Sequence, residues 1–251
     1  MTRLILLGTS NAIPDAHHEN THMVIQGVKR TVLIDCASNP LLRLQCAGID
    51  VHAITDLILT HFHPDHVSGV PLLLMDMWLL GRRRPLAIFG LRPTLGRLQK
   101  LMGFFEWNQW PKFFPVEFSP LPARPMTTVL ECKEFRIFAS PVRHLVPAIG
   151  LRVDFRDPAR SLAYSGDSEP CEQVVRLARG VDVLIHEAAG KMVGHSSAAE
   201  AGRIARQAGA GSLLLIHYPT GSARHPDLVT QARRSYPGPV KQAEDFMQIE
   251  F

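Results

Sequence analysis

The chain has 251 residues, of which 46% are hydrophobic, enough for one large α/β domain with a substantial core. Lysine and arginine number 27 against 23 acidic residues, and this net charge of +4 is too slight an excess to indicate a dedicated nucleic-acid binder. These values are those of an ordinary globular protein and exclude a disordered or fibrous chain.

The first half of the chain reads as strands and helices in alternation. Its opening apolar run is too short for a signal peptide or a membrane span, so it predicts a strand. Strands are predicted over residues 3–8, 22–27, 31–36, 54–60 and 86–90. Ser38, Pro40 and Gly48 predict the cap, first turn and end of a helix. Further helices are expected from about His66 to Leu80 and over 92–106.

The second half repeats this alternation. Strands are predicted within residues 127–144 and over 148–155, 161–168, 181–188, 212–218 and 245–251. Ser168 and Pro170 predict the start of one helix, and Ser197 with Glu200 forms a capping box for another over 198–210. Since no linker separates the halves, we predict a single domain over residues 1–251 in which helices cover two sheets.

The segment THFHPDHVSG, residues 60–69, holds three histidines and one aspartate directly after a predicted strand. Side chains alternate along an extended segment, so His61 and His63 point the same way, and Pro64 then turns Asp65 and His66 towards the same pocket. Histidine with carboxylate suits zinc or a neighbouring transition metal. A single catalytic zinc usually takes fewer than four ligands from one loop. The segment therefore predicts a site for two metal ions. A surface histidine cluster is the alternative.

Three further candidate ligands follow the ends of apolar strands. They are His144, Asp167 and His217. Sites gather at one edge of a sheet, where loops vary without disturbing the core, so these residues are expected to meet the histidine-rich segment. Asp167 is the candidate to bridge two metals through its carboxylate.

With Asp35 added, the order and spacing of these residues resemble the metallo-β-lactamase superfamily. The opening GTSNAIP and the segment LIHEAAG…GHSSAAEAGRIA followed by LLLIHY are similar to the ribonuclease Z branch. Ala189 and Ser197 stand where that branch has threonines. Only residues 145–166 separate His144 from Asp167, where that branch inserts a long tRNA-binding arm. The resemblance is therefore to a member without the arm.

The resemblance implies an α/β fold, the αββα four-layer sandwich of two mixed sheets flanked by helices. It implies one metal held by His61, His63 and His144, a second held by Asp65, His66 and His217, Asp167 bound to both, and a water or hydroxide between them. Zn²⁺ is the metal expected, with Mn²⁺ and Fe left open.

The resemblance also assigns roles to the residues around the metals. Asp65 would accept a proton, and Asp35 would orient a ligand loop. His195 would donate to the leaving group or oxyanion with Glu187 as its orienting partner, although His195 as a mere neighbour of a helix cap is the alternative.

Three functions are compatible with these residues. The first is a dinuclear phosphodiesterase of the ribonuclease Z type acting on a small or flexible phosphodiester, with RNA possible as a substrate. The second is a hydrolase of carboxylic esters, lactones, thioesters or sulfate esters, and the third is a non-hydrolytic metal-binding protein.

Several features outside the motif carry weaker expectations. Five other histidines, His17, His18, His22, His52 and His225, are expected in loops or at the surface. The aromatic stretch 103–115 is assigned to packing or a subunit interface, with a wall of the site as the alternative. We expect a homodimer, no membrane association and, because the four cysteines are scattered, a reducing cytoplasm.

Overall fold

The computed structural model describes residues 2–221 and 227–251, so His225 lies outside the described residues. In chain order the strands are β1 (Arg3–Gly8), β2 (His22–Gln26), β3 (Thr31–Ile34), β4 (Asp56–Ile58), β5 (Leu86–Leu91), β6 (Val116–Leu121), β7 (Thr127–Glu131), β8 (Phe135–Val142), β9 (Ala148–Arg156), β10 (Ala159–Tyr164), β11 (Val183–Glu187), β12 (Ser212–Ile216), β13 (Val240–Gln242) and β14 (Gln248–Glu250). The α-helices are α1 (Pro40–Cys46), α2 (Pro64–Val67), α3 (Val70–Leu79), α4 (Arg92–Gly103), α5 (Glu172–Leu177), α6 (Ala198–Ala208) and α7 (Leu228–Arg233).

The strands form two mixed sheets of seven strands each. The first has the order β14-β1-β2-β3-β4-β5-β6 and the second the order β13-β12-β11-β10-β9-β8-β7. In each sheet an antiparallel meander leads into parallel strands, β3 to β6 in the first and β10 to β13 in the second. The predicted α/β architecture of two mixed sheets flanked by helices is confirmed.

The period-two pattern of the strands places each side chain in one of two cores. On β1, Leu4 and Leu6 belong to the core shared by both sheets, whereas Ile5 and Leu7 pack with the apolar faces of α1, α3 and α4. The shared core also takes in the buried faces of α5 and α6 beside the second sheet. None of the helices formed by the described residues has the length and apolarity that a membrane crossing requires.

The predicted helix from about His66 to Leu80 is wrong in one respect, because the chain forms two helices there. The backbone N–H of Gly69 donates to the carbonyl of Cys36 instead of continuing α2. A Cβ at Gly69 would lie 2.7 Å from the carbonyl oxygen of Ala37, so only glycine allows this approach. Pro71 then lies in the first turn of α3, where its missing N–H costs nothing.

Two of the predicted helix N-caps are also wrong, although Pro40 lies in the first turn of α1 as predicted. Asn39 rather than Ser38 caps α1, with its side chain accepting from the backbone N–H of Leu42. The helix predicted to open at Ser168 and Pro170 begins at Glu172 instead. By contrast, the capping box of Ser197 and Glu200 is confirmed at the start of α6.

Some elements were missed by the sequence patterns. Strand β6 escaped prediction because Pro120 interrupts its apolar pattern, which is tolerated on an edge strand. Helix α7 and strand β13 were also missed. The surface assignment of His22 is wrong, since it opens β2 fully buried, and this burial lowers its pKa to about 4.

Candidate metal centre

The candidate ligands lie where strands of both sheets end. Asp35 follows β3, His61 and His63 follow β4, His144 follows β8, Asp167 follows β10, Glu187 ends β11 and His217 follows β12. Strands β8, β10, β11 and β12 run in one direction, so their carboxyl ends meet at one edge.

The backbone turns sharply at three of these strand ends. Asp35 and His217 have φ values of 57° and 51°, a left-handed conformation that non-glycine residues seldom adopt. Gly166 has φ of 59°, and a Cβ there would lie 2.6 Å from the carbonyl oxygen of Ile149. Backbone strain of this kind concentrates at functional sites, where the surrounding structure holds it. Here it occurs at the candidate ligand His217 and at Asp35, and it immediately precedes another candidate ligand, Asp167.

One group of donors consists of His61, His63 and His144. Nδ1 of His63 lies 3.0 Å from Nε2 of His61 and 3.1 Å from Nε2 of His144. Tetrahedral zinc with Zn–N bonds of about 2.0–2.1 Å places its ligand nitrogens about 3.3 Å apart. Burial lowers the pKa of His61 well below its usual value, which keeps the imidazole in the neutral form that binds metal. This triangle of nitrogens fits a metal ion.

The second group consists of Asp65, His66, Asp167 and His217. Oδ2 of Asp167 lies 3.3 Å from Nε2 of His66 and 3.2 Å from Nε2 of His217. The same oxygen is 3.8 Å from Nε2 of His61, a member of the first group. Within the described part of the chain, both Asp167 oxygens and Nε2 of His66 are buried without a hydrogen bond. Buried polar atoms normally have partners, so these atoms also fit a cation between them.

Asp35 links the two donor groups through hydrogen bonds. Its carboxylate accepts from the backbone N–H and hydroxyl of Thr60, each at 2.8 Å, and from Nδ1 of His66 at 2.8 Å. The Thr60 oxygen in turn accepts from Nδ1 of His61 at 3.0 Å. These bonds place the ring protons on Nδ1, which leaves Nε2 of both histidines free to bind a metal.

His195 and Glu187 meet beside the two groups. Nδ1 of His195 lies 3.0 Å from Oε1 of Glu187, whose carboxylate also accepts from the backbone N–H of Ser168 and Ala189. Burial alone lowers the pKa of His195, but the bond to Glu187 outweighs it and raises the pKa above its usual value. A buried carboxylate therefore holds His195 in one orientation and favours its protonated form.

Two contributors to this geometry were missed from the sequence. Thr60 was not singled out, although its hydroxyl links Asp35 to His61. The backbone carbonyl of Gly194 accepts from Nδ1 of His144 at 2.7 Å, and Glu169 holds that loop through the Gly194 N–H. Because every residue has a backbone carbonyl, the sequence could not indicate the role of the Gly194 carbonyl. Thr60, at the start of the histidine-rich segment, was the one contributor that the sequence could have indicated.

With this geometry described, comparison with known proteins decides the family. Residues 30–218 match the family described as the beta-lactamase superfamily domain, three quarters of the chain. The chain belongs to the beta-lactamase superfamily. The predicted resemblance to the ribonuclease Z branch is also confirmed, because curated relatives carry that name. One of them, the ribonuclease Z of Methanothermobacter thermautotrophicus, is 29% identical over 307 aligned positions, covering 100% of this chain and 97% of the relative.

Solved structures share the fold of this chain. The metallo-beta-lactamase fold protein YhfI from Bacillus subtilis superposes with a TM-score of 0.84 at 24% identity, covering 100% of this chain and 99% of that one. Human tRNase Z, short form, gives a TM-score of 0.79 at 23% identity, covering 99% and 98%. The predicted metallo-β-lactamase fold is thus confirmed.

The connection between His144 and Asp167 has the short form that the sequence predicts. After His144 the chain turns into β9, whose residues 151–156 pair with β10 in an antiparallel hairpin that ends three residues before Asp167. Residues 145–166, all of which the structure describes, form no separately folded arm. The ribonuclease Z of M. thermautotrophicus aligns over more positions than this chain has residues, so that relative contains segments that this chain lacks.

Proposed function

We propose that this beta-lactamase superfamily member is a dinuclear metal-dependent hydrolase, and specifically a phosphodiesterase of the ribonuclease Z type. The observation that carries the proposal is the position of Asp167. Its Oδ2 faces His66 and His217 at 3.3 and 3.2 Å and His61 at 3.8 Å, so one carboxylate is shared by both donor groups. The curated relatives named ribonuclease Z support the reaction class.

We assign His61, His63 and His144 to one metal, Asp65, His66 and His217 to the other, and Asp167 to both. When bound, such a metal pair activates water at neutral pH and stabilises charge on the phosphoryl oxygens. Zn²⁺ is the ion we propose, since nitrogen donors dominate and the spacing of the three histidines suits tetrahedral coordination.

We assign the proton transfers of this reaction to side chains of the protein. Asp65 is the proton acceptor: its side chain is 12% exposed, and its Oδ2 lies 3.4 Å from Nε2 of His66 in the second donor group. His195 is the proton donor to the leaving-group oxygen, and Glu187 orients it through Nδ1, which leaves Nε2 facing away from the carboxylate. Asp35 positions His66 directly and His61 through Thr60.

The proposed substrate is a small or flexible phosphodiester, RNA included, with weak processing of precursor tRNA. The tight β9–β10 hairpin provides no RNA-gripping arm, and a net charge of +4 provides little compensating attraction.

We further propose a homodimer in the cytoplasm. Phe104 and Phe105 are 84% and 50% exposed, Leu79 and Leu80 at the end of α3 are exposed as well, and exposed apolar side chains of this size occur at interfaces.

The test is a substrate screen with metal analysis on the same sample. Purified protein is assayed with bis-p-nitrophenyl phosphate, a lactone and an aryl sulfate, alongside a precursor tRNA. We expect about two transition-metal ions per chain and turnover of the phosphodiester above the other esters. His63→Ala should lose activity and metal, whereas the control His52→Ala, which replaces a histidine outside the donor groups, should keep both. Active protein without metal, or preferred turnover of lactone or sulfate, would overturn the proposal.

A further inference from the structure

A cleft of about 570 Å³ opens directly beside His195. Its walls come from the turn after β8, the segment following Asp167, the loop before α6 and α6 itself. Because His195 lines this cleft and is the proposed donor to the leaving-group oxygen, a substrate bound at the metal centre would place its leaving group there. The lining of the cleft therefore bears on which leaving groups are accepted.

Three cationic side chains line this cleft from three separate parts of the chain. They are Arg143, next to the donor His144, then Lys191 in the loop before His195, and Arg203 on α6. All three are exposed, so their charges face the open cleft. Because they converge from segments far apart in sequence, the fold and not a local run of basic residues creates the positive charge.

The two acidic residues of the cleft are already engaged by the protein. Glu169 accepts from the backbone N–H of Gly194, and its other oxygen lies 3.9 Å from Arg143. Glu200 accepts from the N–H and hydroxyl of Ser197 in the capping box and lies 3.2 Å from Arg203. Three cations against two committed carboxylates leave the cleft with net positive charge.

A second cleft differs in character. It holds about 440 Å³ and is lined by Leu91, Leu121, Ala123, four prolines and a single charged residue, Arg92. One of those prolines, Pro147, also lines the hollow that contains His144, which places this apolar cleft next to the first donor group. The cleft that His195 lines thus has three cationic residues, whereas the apolar cleft has one.

We propose that the cleft formed by Arg143, Lys191 and Arg203 binds a second phosphate of the substrate, carried by the leaving group. This inference rests on the proposed phosphodiesterase function and narrows its substrate class to diesters whose leaving group is itself phosphorylated. The side chains of Met192 and Val193, 59% and 72% exposed, line the same cleft and offer apolar contact to the group that joins the two phosphates.

The size of the effect follows from the exposure of the cations. Exposed ion pairs each contribute a small factor, so three together predict a preference of about tenfold in kcat/KM at low salt. The preference should shrink as salt rises, because the Debye length falls to about 8 Å at physiological ionic strength.

The experiment compares three deoxythymidine substrates with the metal-loaded enzyme. They are the unphosphorylated dinucleotide, the dinucleotide phosphorylated at both ends, and the trinucleotide without terminal phosphates. We expect one or both of the phosphate-bearing substrates to exceed the plain dinucleotide by about tenfold in kcat/KM. A preference for the end-phosphorylated dinucleotide identifies a terminal phosphate as the ligand, and a preference for the trinucleotide identifies an internal one.

The double variant Lys191→Met/Arg203→Gln should bring this preference close to one. Its matched control is Lys133→Met/Arg160→Gln, which removes the same charges from the turn between β7 and β8 and from the start of β10, at the opposite edge of the second sheet. Equal rates on all three substrates, or a preference that survives in the double variant, would overturn the assignment. Failure to cleave any of the three would instead refute the proposed function.

Discussion

Asp35→Asn tests how the protein orients its proposed metal ligands. The substitution preserves size, and the amide oxygen can still accept from the backbone N–H of Thr60. The amide NH₂, however, replaces the oxygen that accepts from the Thr60 hydroxyl and from Nδ1 of His66. A donor at that position favours the tautomer of His66 with its proton on Nε2, the atom that faces Asp167 at 3.3 Å. A protonated Nε2 cannot bind a metal ion.

The expected loss follows from this geometry. Removing an outer partner of a ligating histidine typically weakens metal affinity about 10–100-fold, which is about 1.4–2.8 kcal/mol. The site that contains His66 should weaken most. The site that contains His61 should weaken less, because Asp35 reaches it only through Thr60.

Zinc affinity is measured by titrating the apo protein in competition with a chromophoric chelator. The matched control is Asp56→Asn, another fully buried aspartate, which pairs with Arg30 at 2.7 Å instead of a candidate ligand. Two zinc ions bound by Asp35→Asn with wild-type affinity, or an equal loss in the control, would refute the reasoning.

Four further predictions concern the proton-transfer groups and the packing. Asp65→Ala should lower kcat at least about 100-fold through loss of a ligand and a proton acceptor, and wild-type kcat would remove the assigned role. His195→Ala should lower kcat about 100-fold with metal content unchanged by elemental analysis, whereas lost metal would make His195 a ligand. Glu187 raises the pKa of His195, so the protonated donor persists to higher pH. Glu187→Gln should therefore move the alkaline limb of the kcat–pH profile to lower pH. An alkaline limb at the wild-type position would contradict this prediction. Gly202→Ala should lower the free energy of unfolding by about 1–3 kcal/mol in urea denaturation, because the new Cβ would lie 2.3 Å from the carbonyl oxygen of Ala232. The control is Gly96→Ala, whose new Cβ on α4 would face open space.

The local features of this protein were readable from its sequence. The apolar runs that end at Asp35, His61, His144, Asp167 and His217 predicted strands with polar side chains at their carboxyl ends, and the structure has strands there. The capping box of Ser197 and Glu200 was equally visible, since its signal spans four residues. Such signals depend on neighbours in the chain, and so they survive without knowledge of the fold.

Other features were decided only by tertiary contacts. Gly69 interrupts a helical pattern because it packs against the backbone of Ala37, about thirty positions away, and His22 is buried although nothing next to it in sequence predicts this. The link from Asp35 through Thr60 to His61 needs two adjacent parallel strands in register. The cationic cleft likewise joins Arg143 to Lys191 and Arg203 from separate segments. Sequence patterns report what each residue prefers locally, whereas burial, tautomer and local charge depend on which distant segments the folded chain brings together.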